Sequence, residues 1–155
     1  MIKRVGKHQG TAFLEIYQNC NIFNDGAFSL LTEKDTKDDN VLVLEQGRPM
    51  VFGKDGNKGI KLDGFTPRVV DLTTGQYSKD DLWIHEEFEE SYVRSAILSS
   101  FTETIGFPTP IGVFRQVFKP TYDQALVEQI EGVKKKKGEG DLTKVLFGGN
   151  TWEVN

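Results

Sequence analysis

The distribution of apolar residues along the chain predicts alternating strands and helices. Residues 11–17, Thr11-Ala12-Phe13-Leu14-Glu15-Ile16-Tyr17, are apolar with little alternation, which is typical of a strand covered on both faces in a parallel sheet. Apolar runs at 82–85 and 111–118 predict two further strands. Apolar positions at helical spacing in 88–101 and 122–133 predict the helices that accompany them. The pattern indicates an α/β fold with a mainly parallel sheet.

Residues 41–63 show a different pattern. Short apolar runs at 41–44, 50–52 and 60–62 are separated by turn-forming residues, including Lys54-Asp55-Gly56-Asn57. Asp-Gly between apolar runs is a hairpin signal, because glycine readily adopts the positive φ of the turn. We therefore predict that 41–63 form an antiparallel hairpin insertion, followed by an irregular segment at 64–80.

Local signals also place the ends of several helices. Asp25 is placed to cap a short helix over 27–31. Thr121 and Gln124 have the spacing of a capping box, and Gly138 follows four lysines that would occupy the last turn of that helix. Asp141 is placed to cap a final short helix.

Length, charge and cysteine count narrow the class of protein. The 155 residues suit a single domain over 1–155, and the net charge of -4 argues against binding to nucleic acid or anionic membranes. A single cysteine excludes an internal disulfide and a self-contained cysteine-ligated metal site. No apolar run approaches the ~20 residues needed to cross a bilayer, and no signal-peptide core follows the first residues. We therefore expect a cytoplasmic protein with no membrane association.

Two positions are candidates for chemistry. Cys20 follows the predicted strand at 11–17, at the edge where open α/β sheets bind ligands. It could be a buried structural thiol, as free cysteines often are, or a thiolate that acts as metal ligand or nucleophile. His85 precedes a run of glutamates, but the zinc-protease pattern needs a second histidine where Glu89 stands. The acidic run is better interpreted as the start of a helix.

Several stretches together resemble the beta subunit of 2-oxoacid:ferredoxin oxidoreductases, most closely the 2-oxoglutarate type. They follow the order found in that family and cover nearly the whole chain. They are Glu15-Ile16-Tyr17-Gln18-Asn19-Cys20-Asn21-Ile22-Phe23-Asn24-Asp25-Gly26, Leu82-Trp83-Ile84-His85-Glu86-Glu87, Phe107-Pro108-Thr109-Pro110-Ile111-Gly112-Val113-Phe114-Arg115, Pro120-Thr121-Tyr122, Gly140-Asp141-Leu142 and Thr151-Trp152-Glu153-Val154.

The resemblance implies a thiamine diphosphate-binding α/β/α domain. Members of this family oxidatively decarboxylate a 2-oxoacid with thiamine diphosphate and Mg²⁺, send electrons through a 4Fe-4S cluster to ferredoxin, and transfer the acyl group to coenzyme A. An alpha subunit completes the active site. Cys20 stands where cluster-bearing members have their last cluster cysteine, so the resemblance favours the hypothesis that Cys20 is a metal ligand. Asn24 and Asp25 belong to the same motif and are candidates for the cofactor-side loop.

The chain departs from the family in what it lacks. The Gly-Asp-Gly…Asn signature that holds the diphosphate and Mg²⁺ is absent, and so are the other three cluster cysteines. The chain therefore looks like the C-terminal half of a beta subunit, inactive without the missing N-terminal half. The alternatives are a truncated paralogue that serves as a non-catalytic assembly module and, less favoured, an enzyme that uses Cys20 as a nucleophile.

Overall fold

A computed structural model describes residues 1–149, 151, 152 and 154 and shows an α/β protein. Helices and strands are interspersed along the chain, as the apolar pattern predicts, and short 3₁₀ turns occur at Lys54–Gly56, Lys79–Asp81 and Ser100–Glu103. The α-helices are α1 (Ile2–Val5), α2 (Ser29–Thr32), α3 (Lys37–Asn40), α4 (Val93–Ser99), α5 (Tyr122–Lys137) and α6 (Leu142–Phe147). The strands are β1 (Val41–Leu44), β2 (Val51–Phe52), β3 (Lys58–Asp63), β4 (Thr66–Asp71) and β5 (Thr109–Gly112).

Strands β1 and β5 form a parallel pair. Val41 pairs with Thr109 and Leu44 with Gly112 at the two ends of the register. The prediction that 41–44 belong to an antiparallel hairpin is therefore wrong. The apolar run of β1 suits either arrangement, and its partner lies too far along the chain for local sequence to identify.

The antiparallel sheet has the order β2-β3-β4. Its first hairpin, with Phe52 opposite Lys58, confirms the turn signal, and Asp55 adopts a φ of 59° in that turn. Strand β4 occupies part of the segment expected to be irregular. It is an edge strand, and that position tolerates Pro67, which cannot donate a hydrogen bond within a sheet. Because of Pro67, this strand was not predicted from the sequence.

The segment 82–85 runs between residues 47–50 and Ile60 without forming a full strand. Its only ladder pairing is an isolated bridge between Ile84 and Pro49. The Trp83 N–H donates to the Ile60 carbonyl at 2.7 Å, and the Trp83 carbonyl accepts from the Met50 N–H at 2.9 Å. The predicted strand is therefore an extended connection, held on both sides by backbone hydrogen bonds.

The hydrophobic core lies between these strands and α4. Aromatic rings occupy its centre: the Phe101 ring lies 4.6 Å from that of Phe107 and 6.4 Å from that of Trp83, measured between centroids. Such offset and edge-on arrangements are favourable because of the ring quadrupoles. The buried cluster consists of Leu42, Leu44, Met50, Phe52, Ile60, Trp83, Leu98 and Phe101.

Three further sequence predictions are corrected by the structure. Residues 11–17 lie outside regular structure, and Phe13 is 88% exposed, because no strand in the described ranges pairs with this segment. Helix α4 begins at Val93, so the acidic run before it is not the start of a helix. Strand β5 ends at Gly112, and residues 113–118 continue without a strand partner.

The chain divides into two compact units. Unit 1 comprises Met1–Gly6 and Phe13–Val117, and unit 2 comprises Lys7–Ala12 and Phe118–Asn155. Unit 1 holds both sheets and the core, whereas no described residue of unit 2 is buried. The domain assignment of 1–155 stays a prediction.

Unit 2 is built on α5 and α6. The predicted capping box is confirmed, with the Thr121 N–H donating to Gln124 Oε1 at 3.1 Å and the Gln124 N–H to Thr121 Oγ1 at 3.4 Å. The four lysines occupy the last turn of α5, and Gly138 follows at a φ of 82°. The Asp141 carboxylate caps α6 through the Lys144 N–H at 3.2 Å. Within the described part of the chain, no helix is both long and apolar enough to cross a membrane.

We predict that Gly112→Ala destabilises unit 1. An added Cβ would lie 2.8 Å from Leu44 Cβ and 2.9 Å from the Leu44 carbonyl oxygen, and φ is 149°. Forced overpacking of this kind costs about 1–3 kcal/mol, measurable by urea denaturation followed by tryptophan fluorescence. The control is Gly132→Ala in α5, where a Cβ meets no atom within 4 Å and helix propensity improves. Equal unfolding curves for the two variants would contradict the close approach of β5 to β1.

Candidate functional site

The loop at 19–26 is organised by one side chain. The Asn19 amide nitrogen donates to Asn21 Oδ1 at 2.9 Å and to Asp25 Oδ1 at 2.8 Å. Its amide oxygen accepts a hydrogen bond from the Gly26 N–H at 2.9 Å. Side chains of this type stabilise turns by replacing backbone hydrogen bonds. Asn19 thus closes the loop around Cys20, a role that its sequence context did not predict.

Cys20 is exposed within this loop, so the reading as a buried structural thiol is wrong. The backbone N–H groups of Phe23 and Ile22 lower the pKa of the Cys20 thiol below its ordinary value, against an opposing effect of desolvation, and the Asn24 N–H makes the smallest contribution. Hydrogen bonds to the charged form favour that form. The loop therefore promotes the thiolate, which is the form that binds metals and attacks electrophiles.

The other two predicted site residues lie in the same loop. The Asn24 N–H donates to the Cys20 carbonyl at 3.0 Å, and the two residues form an isolated antiparallel bridge. Asp25 does not cap a helix as predicted. Helix α2 begins at Ser29 after Phe28, and the Asp25 carboxylate accepts from Asn19 instead. Cys20, Asn24 and Asp25 thus lie in one loop, which is held by the hydrogen bonds of Asn19 and not by a helix.

This loop suits one ligand of a metal cluster rather than a complete site. An exposed thiolate with nearby N–H groups is chemically suited to bind iron, and hydrogen bonds to sulfur tune such clusters. Among the residues that the structure describes, no three His, Cys, Asp or Glu side chains are grouped to hold a metal ion. A four-thiolate cluster would therefore need the remaining ligands from outside this chain.

A second polar cluster joins two of the stretches that carry the family resemblance. His85 is buried, and its Nε2 lies 2.8 Å from the Val113 carbonyl oxygen. The Gln116 N–H donates to the Glu87 carbonyl at 2.6 Å, and Arg115 Nε donates to the Glu89 carbonyl at 3.2 Å. These bonds hold 85–89 against 113–116. His85 is thus buried within the contact between these two segments.

Glu87 is the buried charge of this cluster, with only 5% of the residue exposed. The Arg4 guanidinium forms an ion pair with its carboxylate and donates from Nη2 to Gln116 Oε1 at 2.6 Å. The Glu87 N–H donates to Gln46 Oε1 at 2.7 Å. Arg4 precedes Glu87 by 83 residues, so no local sequence signal could have found this pair.

The remaining stretches of the resemblance are placed as follows. Thr121 caps α5 and Asp141 caps α6, both in unit 2. In the stretch 151–154, Trp152 is exposed, and Glu153 lies outside the described residues.

Comparison with known proteins provides a relative for the chain. Over 157 aligned residues, the chain is 30% identical to 2-oxoglutarate oxidoreductase subunit KorB from Mycobacterium tuberculosis. The chain is a relative of this oxidoreductase subunit. The alignment covers 100% of the chain and 41% of KorB, so the chain spans about two fifths of that subunit's length. No family model and no solved structure matches the chain.

The match to KorB confirms the resemblance drawn from the separate stretches and fits the C-terminal portion of a beta subunit. Because it extends over the entire chain, it includes both the Cys20 loop and the Glu87 cluster. The two sites therefore belong to the region shared with KorB. The first presents an exposed thiol whose pKa is lowered, and the second holds shared segments together.

We predict that Arg4→Met destabilises unit 1 by about 1–3 kcal/mol, because it leaves the buried Glu87 carboxylate without its ion-pair partner. The double variant Arg4→Met/Glu87→Leu should recover part of this loss, since an apolar pair needs no charge compensation. Urea denaturation of all three proteins gives the coupling free energy.

The control for this pair is Arg68→Met, which breaks an ion pair with Asp63 at 3.3 Å in which both side chains are well exposed to solvent. Exposed pairs contribute little, so its unfolding curve should stay close to that of the parent. If Arg4→Met and Arg68→Met change the free energy of unfolding equally, Glu87 does not depend on Arg4.

We predict that Cys20 ionises below the pKa of a free cysteine in the folded chain. The cause, hydrogen bonding from Phe23 and Ile22, disappears on unfolding. Stability from this group is therefore present above the unfolded pKa and is lost as pH falls through the folded pKa. Thiolate absorbance near 240 nm reports this single cysteine directly. The same titration in guanidinium chloride is the control, and identical curves would contradict the loop geometry.

Proposed function

We propose that the chain is a component of a 2-oxoacid:ferredoxin oxidoreductase, with 2-oxoglutarate as the substrate. Such an enzyme oxidatively decarboxylates the 2-oxoacid to acyl-coenzyme A and CO₂ and delivers the electrons to ferredoxin. The observation that carries the proposal is the match to KorB along the full length of the chain. Because the chain corresponds to two fifths of KorB, the activity would belong to the assembled enzyme.

Within that enzyme, we assign Cys20 the role of a ligand to the 4Fe-4S cluster. Three features support the assignment: Cys20 is exposed, its pKa is lowered by nearby N–H groups, and its loop is closed by the hydrogen bonds of Asn19. A 4Fe-4S cluster takes four cysteine thiolates. The other three would come from the rest of the beta subunit, and the cluster would form where the two parts meet.

Asn24 and Asp25 take a supporting role in this proposal. Asp25 accepts from Asn19, and Asn24 donates its N–H to the Cys20 carbonyl. Both interactions fix the backbone from which Cys20 projects. We propose that this loop faces the cofactors, with Asn24 and Asp25 as positioning residues rather than as ligands.

Thiamine diphosphate with Mg²⁺ would supply the decarboxylation chemistry, as cofactors do in this class of reaction. Its binding residues would lie in the rest of the beta subunit. An alpha subunit, coenzyme A and ferredoxin complete the set of proposed partners. A cytoplasmic setting is part of the same proposal, because reducing compartments keep an exposed thiol such as Cys20 available.

The test begins with the native assembly, isolated from its source with an antibody to this chain. We expect it to contain iron, acid-labile sulfide and thiamine diphosphate, and to reduce ferredoxin only when both 2-oxoglutarate and coenzyme A are present. An assembly without iron, thiamine diphosphate and activity would contradict the proposal and favour a non-catalytic module.

The role of Cys20 is tested in the same assembly. Cys20→Ala should remove cluster iron and its electron paramagnetic resonance signal and lower ferredoxin reduction by about two orders of magnitude or more. The control is Thr102→Ala, an exposed residue whose hydroxyl donates only to a neighbouring carbonyl. A Cys20→Ala assembly with full iron content would show that Cys20 is not a ligand.

A further inference from the structure

The parallel pair β1–β5 has one covered face and one exposed face. Leu42 and Leu44 point into the core and are buried, and so is Pro110 opposite them. On the other face, Val43 is 60% exposed and its register partner Ile111 is 41% exposed. Two large apolar side chains are therefore directly paired on a surface open to solvent.

This arrangement is unusual for parallel strands. Parallel sheets occur almost only with both faces covered, because the crossover segments place helices on both sides. The Val41-Leu42-Val43-Leu44 run has no polar position, as expected of a strand covered on both faces. In the described residues this sheet consists of β1 and β5 alone, so both are edge strands. The apolar sequence of β1 is thus typical of a larger sheet than the two-stranded one that the described residues form.

The comparison with KorB indicates what completes the sheet. More than half of the KorB polypeptide lies outside the region matched by this chain. An apolar face of parallel strands suits a layer from the same subunit better than a transient partner, since permanent contacts are the more apolar ones. The continuous apolar character of β1 also suits the addition of another parallel strand at its edge.

We propose that the exposed face of β1–β5, centred on Val43 and Ile111, is the surface on which the rest of a beta-type subunit packs. The partner contributes an apolar layer over these two side chains and extends the sheet at an open edge. The inference rests on the proposed relationship to a beta subunit. It goes further in assigning the contact to a particular sheet face and to two side chains.

The test uses this chain expressed together with the part of M. tuberculosis KorB outside the match, so that the KorB part folds in the presence of this chain. We expect a one-to-one complex by sedimentation velocity and slower hydrogen exchange at the amides of 41–44 and 109–112. Val43→Asp and Ile111→Asp should each weaken binding about tenfold or more, because each would bury a carboxylate against an apolar layer.

Two controls keep this test decisive. Val145→Asp in unit 2, also at an exposed position, should change binding by no more than about twofold, as expected of a surface change outside the contact. In the isolated chain, Val43→Asp and Ile111→Asp should leave hydrogen exchange in β3 and β4 unchanged, which shows that unit 1 remains folded.

Three results would overturn the inference. They are the absence of a complex, a complex insensitive to both substitutions, and self-association of the isolated chain that Val43→Asp abolishes, which would make a second copy the occupant. A complex that uses this face but binds no iron and no thiamine diphosphate would refute the proposed function alone. The failure of this inference is therefore distinguishable from the failure of the proposed function.

Discussion

The pairing of β1 with β5 is the constraint on which unit 1 depends, because it brings together segments separated by most of that unit. The buried face of the pair supplies Leu42 and Leu44 to the core, where they join Phe101 and Trp83. Gly112 allows this pairing, since its missing side chain leaves room for the Leu44 backbone. Close packing against Leu44 thus explains the glycine at position 112, within the stretch 107–115 that resembles the family.

The Glu87 cluster holds the same unit together from another side. A buried carboxylate is costly unless it is paired and its hydrogen-bonding groups are satisfied. Here Arg4 neutralises the charge, while Gln46 and Gln116 bind the backbone of Glu87. The cluster fixes the position of two stretches shared with KorB.

The Cys20 loop differs from the core in that it depends on local interactions. Asn19 closes it within a few residues, and its thiol is set for ionisation by the backbone that follows. A loop of this kind can present a ligand before its partners arrive. The chemistry proposed for it nevertheless requires ligands from another part of the enzyme, which is consistent with a chain that matches two fifths of KorB.

Several features whose hydrogen bonds lie within a few residues were predictable from the sequence, although the loop closed by Asn19 was not. These include the capping box at Thr121, the end of α5 at Gly138, the cap at Asp141 and the turn at Asp55. The sequence also indicated Cys20, Asn24 and Asp25 as one motif. Tertiary structure decided the rest. It paired β1 in parallel with β5, made β4 a strand despite Pro67, left 11–17 unpaired and joined Arg4 to Glu87. The physical reason is that an apolar run specifies burial but not its partner, and a charge specifies a need for pairing but not the residue that meets it.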